Sequence, residues 1–302
     1  MTMAMLDLNW AKTEEYLVEY IRDYMARAGF QNVVLGMSGG LDSSICAALA
    51  CKALGPEHVF GFALPYEGGQ EKDTVAAEIW ATQLEIYFEE IDIEDPVQDF
   101  IQLTVGDNSQ HPDYRLRKGN ICARTRMIIL YDLSKRHNAL VMGTGNKSEY
   151  WLGYTTLWGD MACSFSPVGG IFKTQERKLA QHMKLPEEII QKPPTAGLWE
   201  GQTDEGEMGF TYEQADAVLS VLLPRFESFM GDLSEDTEDN KYYNEGLEEL
   251  KKFGIASEIT ERVWRRVKAM EFKRRMPHSP VMTPQVLAWN KMDVDDLFGG
   301  TI

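Results

Sequence analysis

The sequence predicts an α/β protein, in which helices cover both faces of a parallel β-sheet and a helical portion follows at the C-terminus. Three observations predict this class. Four short apolar segments before residue 146 are separated by helical patterns, helical patterns dominate after residue 172, and no internal repeat is present. Parallel strands need crossover connections, which helices usually supply. We expect a single domain over residues 1–302, with an α/β core at about 30–170 and a mainly helical part at about 171–302.

The period of the apolar residues predicts each element in turn. Residues 10–29 have the pattern of an amphipathic helix that ends at Gly29. Strands are expected at 32–37, 58–65, 85–93 and 139–145. Further helices are expected at 43–54, 72–84, 96–104 and 120–137. Polar residues at 106–119 predict a loop, and the acidic, weakly apolar stretch 231–246 is expected to be a flexible surface loop.

Charge and composition argue against several classes of function. The formal net charge is −17, which disfavours nonspecific nucleic-acid binding, because such binding depends on neutralising phosphates. The chain has no apolar run of membrane-spanning length. Its N-terminus lacks the basic region followed by an apolar region that is typical of a secretory signal. Its four cysteines lack a Cys-x-x-Cys spacing, and its five histidines lack a His-x-x-x-His pair. We therefore expect a cytoplasmic protein with reduced cysteines, no zinc site and no membrane contact.

A loop rich in glycine and serine follows the first predicted strand. Residues 35–44 read LGMSGGLDSS, and Gly39 and Gly40 permit tight turns and close approach of the backbone to a ligand. The N–H groups of such a loop, and of the helix that follows it, bind anions, and serine hydroxyls add donors. No Gly-Lys-Ser or Gly-Lys-Thr closes the stretch, so it is not a Walker A loop. The pattern predicts a phosphate site of another kind.

Asp42 is the unexpected member of this loop. A carboxylate beside bound phosphates repels them unless a cation lies between the two groups. Asp42 is therefore a candidate magnesium ligand. Its position at the start of a helix also permits an N-cap, in which the side chain accepts a backbone N–H. The residues alone leave both interpretations open.

The stretch SGGLDSS after a strand resembles the pyrophosphate-binding loop of the N-type ATP pyrophosphatases. Four further stretches, at 119–134, 143–160, 172–175 and 192–210, together resemble ammonia-dependent NAD synthetase. The resemblance runs from about residue 12 to about 222 and resumes at 271–277. It implies a Rossmann-like, adenine nucleotide alpha hydrolase-like fold. It also implies deamido-NAD, ATP and ammonia as substrates, Mg²⁺ as cofactor, and an acyl-adenylate on the way to NAD, AMP and pyrophosphate.

The matching motifs carry the site residues of that family onto this chain. Those implied to bind ATP are Gly36, Met37, Ser38, Gly39, Gly40, Leu41, Asp42, Ser43, Thr144, Lys173 and Thr195. The resemblance gives Asp42 and Lys173 a catalytic role, and Asp42 and Glu149 the role of magnesium ligands. Those implied to contact deamido-NAD are Arg124, Leu157, Ser164 and Lys273. Lys273 lies in the most basic stretch of the chain, 262–275, whose Arg266 is expected on a solvated helix face.

Three positions depart from the family pattern. Leu157 replaces a lysine and Ser164 an aspartate that would touch the dinucleotide, and Phe272 replaces a histidine. Two alternatives therefore stay open: an ATP pyrophosphatase that amidates a different carboxylate, and a noncatalytic nucleotide-binding protein.

The resemblance also bears on partners. It implies a homodimer. The apolar helix at 120–133 is a candidate interface, and a place in the internal core is the open alternative. We expect free ammonia to be the nitrogen donor, because the chain is short for an added glutaminase domain and no cysteine has the surroundings of a glutaminase nucleophile. A separate glutaminase partner remains an open alternative.

Overall fold

A computed structural model describes residues 6–66, 71–104, 106, 111–195, 201–227 and 241–275. At its centre is a sheet of four strands, which are β1 (Asn32–Gly36), β2 (Val59–Ala63), β3 (Tyr87–Glu90) and β4 (Ala139–Val141). The strand order is β3-β2-β1-β4, and each neighbouring pair is parallel. The predicted strands and their parallel arrangement are confirmed, although each strand is shorter than its apolar pattern.

Helices account for most of the described chain. They are α1 (Trp10–Ala28), α2 (Leu41–Leu54), α3 (Glu71–Gln83), α4 (Glu94–Thr104), α5 (Tyr114–Arg136), α6 (Lys147–Leu152), α7 (Lys173–His182), α8 (Glu187–Ile190), α9 (Asp204–Met208), α10 (Tyr212–Glu227), α11 (Lys241–Lys252), α12 (Ser257–Ala269) and α13 (Glu271–Arg274). None of these described helices has both the length and the apolar character that a membrane span requires.

Helices cover both faces of the sheet, as predicted. Val33 and Leu35 of β1 belong to a core that also contains residues of α1, α2, α3 and α7. Val34, which lies between them, belongs to a second core with residues of α4 and α5. Successive strand residues point to opposite faces, so a strand buried on both faces is apolar at every position.

Helix α2 runs through the first core, and every residue from Ser43 to Ala50 is buried. This position explains why the helix is apolar on all sides. It begins two residues earlier than predicted, with Gly40 as its N-cap. Asp42 therefore lies inside the first turn, and the N-cap interpretation of Asp42 is wrong.

A third core joins the C-terminal helices to the rest of the fold. Tyr212, Leu250 and Trp264 come from α10, α11 and α12, and they are buried with Leu152 of α6 and Phe172, the residue before α7. The mainly helical part is thus packed directly against the elements that follow β4.

The predicted polar loop at 106–119 is wrong in its second half. Helix α5 begins at Tyr114 rather than at residue 120. Tyr114 packs against the core between α4 and α5, and Arg117 Nη2 donates to the carbonyl of Thr104 at 2.7 Å. These tertiary contacts extend the helix beyond its apolar pattern.

The predicted flexible loop at 231–246 is wrong over its last six residues. Helix α11 begins at Lys241, whereas residues 231–240 lie outside the described chain. Tyr243 is buried, and its ring centroid lies 6.5 Å from that of Trp264. Burial of this aromatic side chain outweighs the acidic composition of the surrounding sequence.

Candidate active site

A cavity of about 320 Å³ opens at the carboxyl edge of the sheet. It lies at the ends of β1 and β4, which are neighbours in space although two strands separate them in sequence. Open α/β sheets bind ligands at such points, where the strand order reverses. The predicted ATP-binding residues that line it are Gly36, Met37, Ser38, Gly40, Leu41, Asp42, Thr144, Lys173 and Thr195. Gly39 and Ser43 belong to the same loop but do not line the cavity.

Close packing fixes the glycine loop. Gly39 has a φ of +65°, and a β-carbon there would lie 2.1 Å from the carbonyl oxygen of Asp73 in α3, so only glycine fits. The hydroxyl oxygens of Ser38 and Ser43 lie 3.3 Å apart, and Ser43 Oγ donates to Gly40 O at 3.2 Å. The loop therefore places hydroxyl groups at the N-terminus of α2, where the helix dipole favours an anion.

Lys173, the first residue of α7, lies at the centre of an acidic cluster. Its Nζ donates to the two oxygens of Asp42 at 2.6 and 2.5 Å and to Glu149 Oε1 at 3.3 Å. Glu176 Oε2 lies 4.0 Å from the same Nζ. The lysine is only 4% exposed. The structure thus brings together the lysine and both carboxylates that the resemblance singled out.

Burial and mutual charge shift the pKa values in this cluster. Burial opposes ionisation of Asp42, but the Lys173 ammonium outweighs it and the pKa of Asp42 is lowered. Burial opposes the charge of Lys173 too, yet Asp42 and Glu149 raise its pKa. Burial raises the pKa of Glu149 to about 8 despite the ammonium, and it raises the pKa of Glu176 well above its ordinary value. Lys173 and Asp42 are therefore a charged pair.

A capping box explains how Glu149 reaches this cluster. Asn146 Oδ1 accepts the N–H of Glu149 at 3.0 Å, and Glu149 Oε2 accepts the N–H of Asn146 at 3.2 Å. These reciprocal bonds start helix α6. The second carboxylate oxygen, Oε1, contacts Lys173. Glu149 therefore has both a structural and an electrostatic role.

The residues implied to contact deamido-NAD lie outside the lining of this cavity. Arg124 Nε and Nη2 donate to the carbonyl of Leu157 at 3.3 and 3.2 Å. Lys273 Nζ donates to the carbonyls of Gly153 and Thr155 at 2.8 and 2.5 Å. Arg124, Leu157 and Lys273 therefore meet around one segment, residues 153–157, just beyond α6.

The other two positions that concern the acceptor lie apart from that segment. Ser164 lies beside the end of β4, where its N–H donates to the carbonyl of Val141 at 2.8 Å. Its own carbonyl accepts the hydroxyl of Tyr24 at 2.6 Å. Phe272 is 59% exposed. Its side chain therefore lies on the surface beside Lys273.

Sequence reasoning did not single out several residues that line the cavity, among them Asp73, Lys192 and Asp204. Lys192 Nζ donates to the carbonyl of Gly39 at 3.1 Å and pairs with Asp73 Oδ1 at 2.8 Å. Lys192 is the first residue of the stretch 192–210, which resembles the family, and this position could have identified it as a candidate site residue. Asp73 offered none, because acidic residues are common in the first turn of any helix.

The fold and the site together define the class of protein. A parallel sheet carries an anion-binding glycine loop at its carboxyl edge, beside a buried lysine and two carboxylates. This is an α/β nucleotide-binding protein with the adenine nucleotide alpha hydrolase-like fold.

Within that class, the chain belongs to the NAD synthase family, whose sequence model matches residues 13–277. It is 40% identical over 275 residues to the NH3-dependent NAD⁺ synthetase of Fusobacterium nucleatum, and the match covers 91% of this chain and 97% of that relative. The family resemblance that the motifs indicated is confirmed.

Solved structures have the same fold. The NMN synthetase of Francisella tularensis is 28% identical with a TM-score of 0.73, and the match covers 91% of this chain and 99% of that one. The NH3-dependent NAD synthetase of Campylobacter jejuni is also 28% identical, with a TM-score of 0.70, and the match covers 91% of this chain and 100% of that one.

Proposed function

We propose that this chain is an ammonia-dependent NAD synthetase, which uses ATP to amidate the nicotinate carboxylate of deamido-NAD. The observation that carries the proposal is the cluster in which Lys173 lies between Asp42 and Glu149, beside the glycine loop. Chemistry at a nucleotide phosphate depends on such placed charges. Membership of the NAD synthase family and the similarity to NH3-dependent NAD synthetases support deamido-NAD as the acceptor and ammonia as the nitrogen donor.

The reaction has two steps. A carboxylate oxygen of the nicotinate attacks the α-phosphorus of ATP, the bond to pyrophosphate breaks, and an acyl-adenylate forms. Ammonia then attacks the acyl carbon, AMP leaves with its bonding electrons, and one proton passes to solvent as the amide forms. Both steps depend chiefly on alignment of two anionic nucleotides and on neutralisation of phosphate charge.

The residues of the cavity are suited to these tasks. The backbone from Gly36 to Ser43 holds the ATP phosphates, with Thr144 and Thr195 as further contacts. Lys173 neutralises the charge that develops as pyrophosphate leaves. Its short bonds to Asp42 keep the ammonium in place before ATP binds. Arg124 and Lys273 attract the acceptor nucleotide from the segment beside α6.

Magnesium fits this set of residues. Asp42 and Glu149 offer hard oxygen ligands and already share one cation, the Lys173 ammonium. Within the described segments, no three His, Cys, Asp or Glu side chains are grouped to hold a metal. Mg²⁺ commonly uses one or two carboxylates together with substrate phosphates. When bound by Asp42 and Glu149, it would neutralise phosphate charge.

A second candidate function keeps this chemistry and changes the acceptor. Leu157 and Ser164 stand where the family pattern has a lysine and an aspartate, so the acceptor side lacks two charged groups. The chain is also similar, over 91% of its length, to a protein described as NMN synthetase. A nicotinate mononucleotide offers the same carboxylate but lacks the adenylate half. Amidation of that mononucleotide is therefore the alternative to be tested.

Pyrophosphate release with ATP, Mg²⁺ and ammonium tests both candidates. With deamido-NAD, the amount of pyrophosphate released is expected to equal the amount of NAD formed. With nicotinate mononucleotide, much less pyrophosphate is expected. The reverse preference would establish the second candidate. ATP binding that is unchanged in Asp42→Ala, with no pyrophosphate released from ATP in the presence of either acceptor, would instead indicate a noncatalytic nucleotide-binding protein.

We further propose that the protein acts as a homodimer in the cytoplasm. Helix α5 presents Leu116, Ile128 and Tyr131 to solvent, with exposed fractions of 61%, 54% and 39%. Exposed apolar side chains of this kind suit a subunit interface. The four cysteines are free, as expected for a reducing compartment.

A further inference from the structure

Asp216 lies at the centre of a buried hydrogen-bond network. Its Oδ1 accepts the hydroxyl of Ser148, and its Oδ2 accepts the N–H and the hydroxyl of Thr174 at 2.9 and 2.7 Å. Ser148 Oγ accepts the N–H of Lys173 at 2.9 Å. Asp216 and Ser148 are both 0% exposed. Water therefore does not compete for these bonds, and each lost bond would leave a buried polar group without a partner.

The network joins α6 and α7, which carry Glu149 and Lys173 of the acidic cluster. Ser148 precedes Glu149 in α6, and Thr174 follows Lys173 in α7. Asp216 comes from a third helix, α10. The first N–H groups of a helix have no partner within it. Two of those in α7 are bound by Ser148 and Asp216, so the start of α7 is tied to the start of α6 through one carboxylate.

We propose that Asp216 is a positioning residue, which holds the Lys173 ammonium at its working distance from Glu149 through Ser148 and Thr174. The inference rests on the proposed function, because that function gives Lys173 and Glu149 their task. Asp216 does not line the cavity, so it acts through other residues rather than on substrate. Its place in the helical part explains what α10 contributes to a site built at the sheet edge.

The expected effect follows from geometry. Lys173 Nζ lies 3.3 Å from Glu149 Oε1, and this contact depends on where the first turn of α7 starts. Displacement of a reacting group by about 1 Å can lower the rate on the order of 100-fold. The affinity for the acceptor depends on other residues, chiefly Arg124 and Lys273. Loss of Asp216 should therefore lower kcat and leave the acceptor KM nearly unchanged.

The test compares Asp216→Asn and Asp216→Ala with Ser220→Ala, all in the intact chain. Ser220 is a matched control because it is also buried in α10, but its hydroxyl donates to Ala217 within the same helix, at 2.9 Å. We expect kcat to fall about 10-fold in Asp216→Asn and about 100-fold in Asp216→Ala, with acceptor KM within about 2-fold. Ser220→Ala should retain the wild-type kcat.

Two further variants separate positioning from general stability. Thr174→Val should lower kcat, whereas Thr174→Ser, which keeps the hydroxyl, should have a kcat close to that of the wild type. If Asp216→Ala does not fold, Asp216→Asn and the Thr174 pair decide the question. Wild-type kcat per folded molecule in Asp216→Asn and Thr174→Val, with only a lower melting temperature, would overturn the inference.

A crystal structure of Asp216→Asn gives a measure that does not depend on turnover. We expect the separation of Lys173 Nζ and Glu149 Oε1 to increase, and an unchanged separation would contradict the inference. Failure of the wild-type protein to amidate deamido-NAD would overturn the proposed function instead. The two failures are therefore distinguishable.

Discussion

At the scale of single residues, the carboxylate of Glu149 divides its two oxygens between two partners. Oε2 accepts the N–H of Asn146 and Oε1 contacts Lys173. Glu149→Gln retains a side chain that can complete the capping box but cannot ionise to a carboxylate. We expect pyrophosphate release to fall at least about 10-fold at fixed Mg²⁺, because the proposed magnesium ligand is lost. The melting temperature should stay close to that of the wild type.

Glu149→Ala is the matched comparison. It removes the Oε2 acceptor of the Asn146 N–H together with the carboxyl group, so stability should also fall by about 1 kcal/mol. Urea unfolding and a pyrophosphate assay on the same samples measure both effects. Full activity in the glutamine variant would contradict the magnesium role, and equal stability of the two variants would contradict the capping role.

Asp216 also predicts a pH dependence of stability. Burial raises its pKa to about 6, against the opposing hydrogen bonds from Ser148 and Thr174. A carboxyl whose pKa is higher in the folded state binds more protons there, so its contribution stabilises the fold below the unfolded-state pKa and is lost as pH rises through about 6. Relative to Asp216→Asn, the wild type should lose about 1 kcal/mol of unfolding free energy between pH 5 and pH 7.

Urea denaturation of both proteins across that pH range measures the difference. Subtraction of the variant cancels the titration of all other groups. A difference that is constant with pH would contradict the raised pKa of Asp216. A difference that grows in favour of the wild type as pH rises would show that the sign of the shift is wrong.

At the scale of elements, the glycine loop can be tested through Gly39. Gly39→Ala places a β-carbon 2.1 Å from the Asp73 carbonyl at a φ of +65°, so either the loop or the start of α3 must move. We expect a loss of about 1–3 kcal/mol in stability and a marked loss of ATP affinity. Isothermal titration calorimetry with ATP and urea unfolding measure the two effects.

Gly170→Ala is the control for that experiment. A β-carbon at Gly170 meets no atom within 4 Å, and its φ lies outside the left-handed region. This variant should bind ATP as the wild type does. Wild-type ATP affinity in Gly39→Ala would contradict the assignment of the loop to the phosphate site.

The C-terminal basic stretch shows a different relation between element and site. Arg274 Nη1, Arg266 Nε and Lys273 Nζ donate to the carbonyls of Trp151, Leu152 and Gly153 at 2.8 Å in each case. These carbonyls lie at the C-terminal end of α6, where cationic side chains interact favourably with the helix. The expectation that Arg266 lies on a solvated face is therefore wrong. A basic run cannot reveal from sequence which carbonyls it will reach.

At the scale of the whole molecule, the proposed dimer predicts a simple change in mass. Ile128 of α5 and Ile79 of α3 are both 54% exposed. If α5 forms the subunit interface, Ile128→Lys should convert the dimer to a monomer, because a buried charge would lack a partner. Ile79→Lys, which changes an equally exposed residue on a different helix, should leave the dimer intact.

Sedimentation equilibrium of the two variants and the wild type measures the mass directly. A monomeric wild type would refute the proposed assembly. A dimeric Ile128→Lys protein would place the interface elsewhere. Dissociation by Ile79→Lys alone would assign it to α3.

The class of fold and the family were predictable from the sequence alone, and so was the glycine loop that we propose binds phosphate. Those features are local: a buried strand is apolar at each position, a tight anion loop needs glycine, and both patterns are readable within about ten residues. The capping box that orients Glu149 also has a local sequence pattern, because Asn146 lies three residues before Glu149.

The meeting of distant parts of the chain became apparent only from their packing in three dimensions. Lys173 lies 131 positions from Asp42 and 24 from Glu149, yet its ammonium contacts both. Asp216 lies on a further helix, 42 positions beyond Thr174, and accepts the N–H of that neighbour of Lys173. The burial of Tyr243 likewise accounts for a helix over residues 241–246, the end of the stretch that was predicted to be a loop. Such contacts depend on the packing of whole elements, because free energy gained by burial is shared among residues that no local pattern connects.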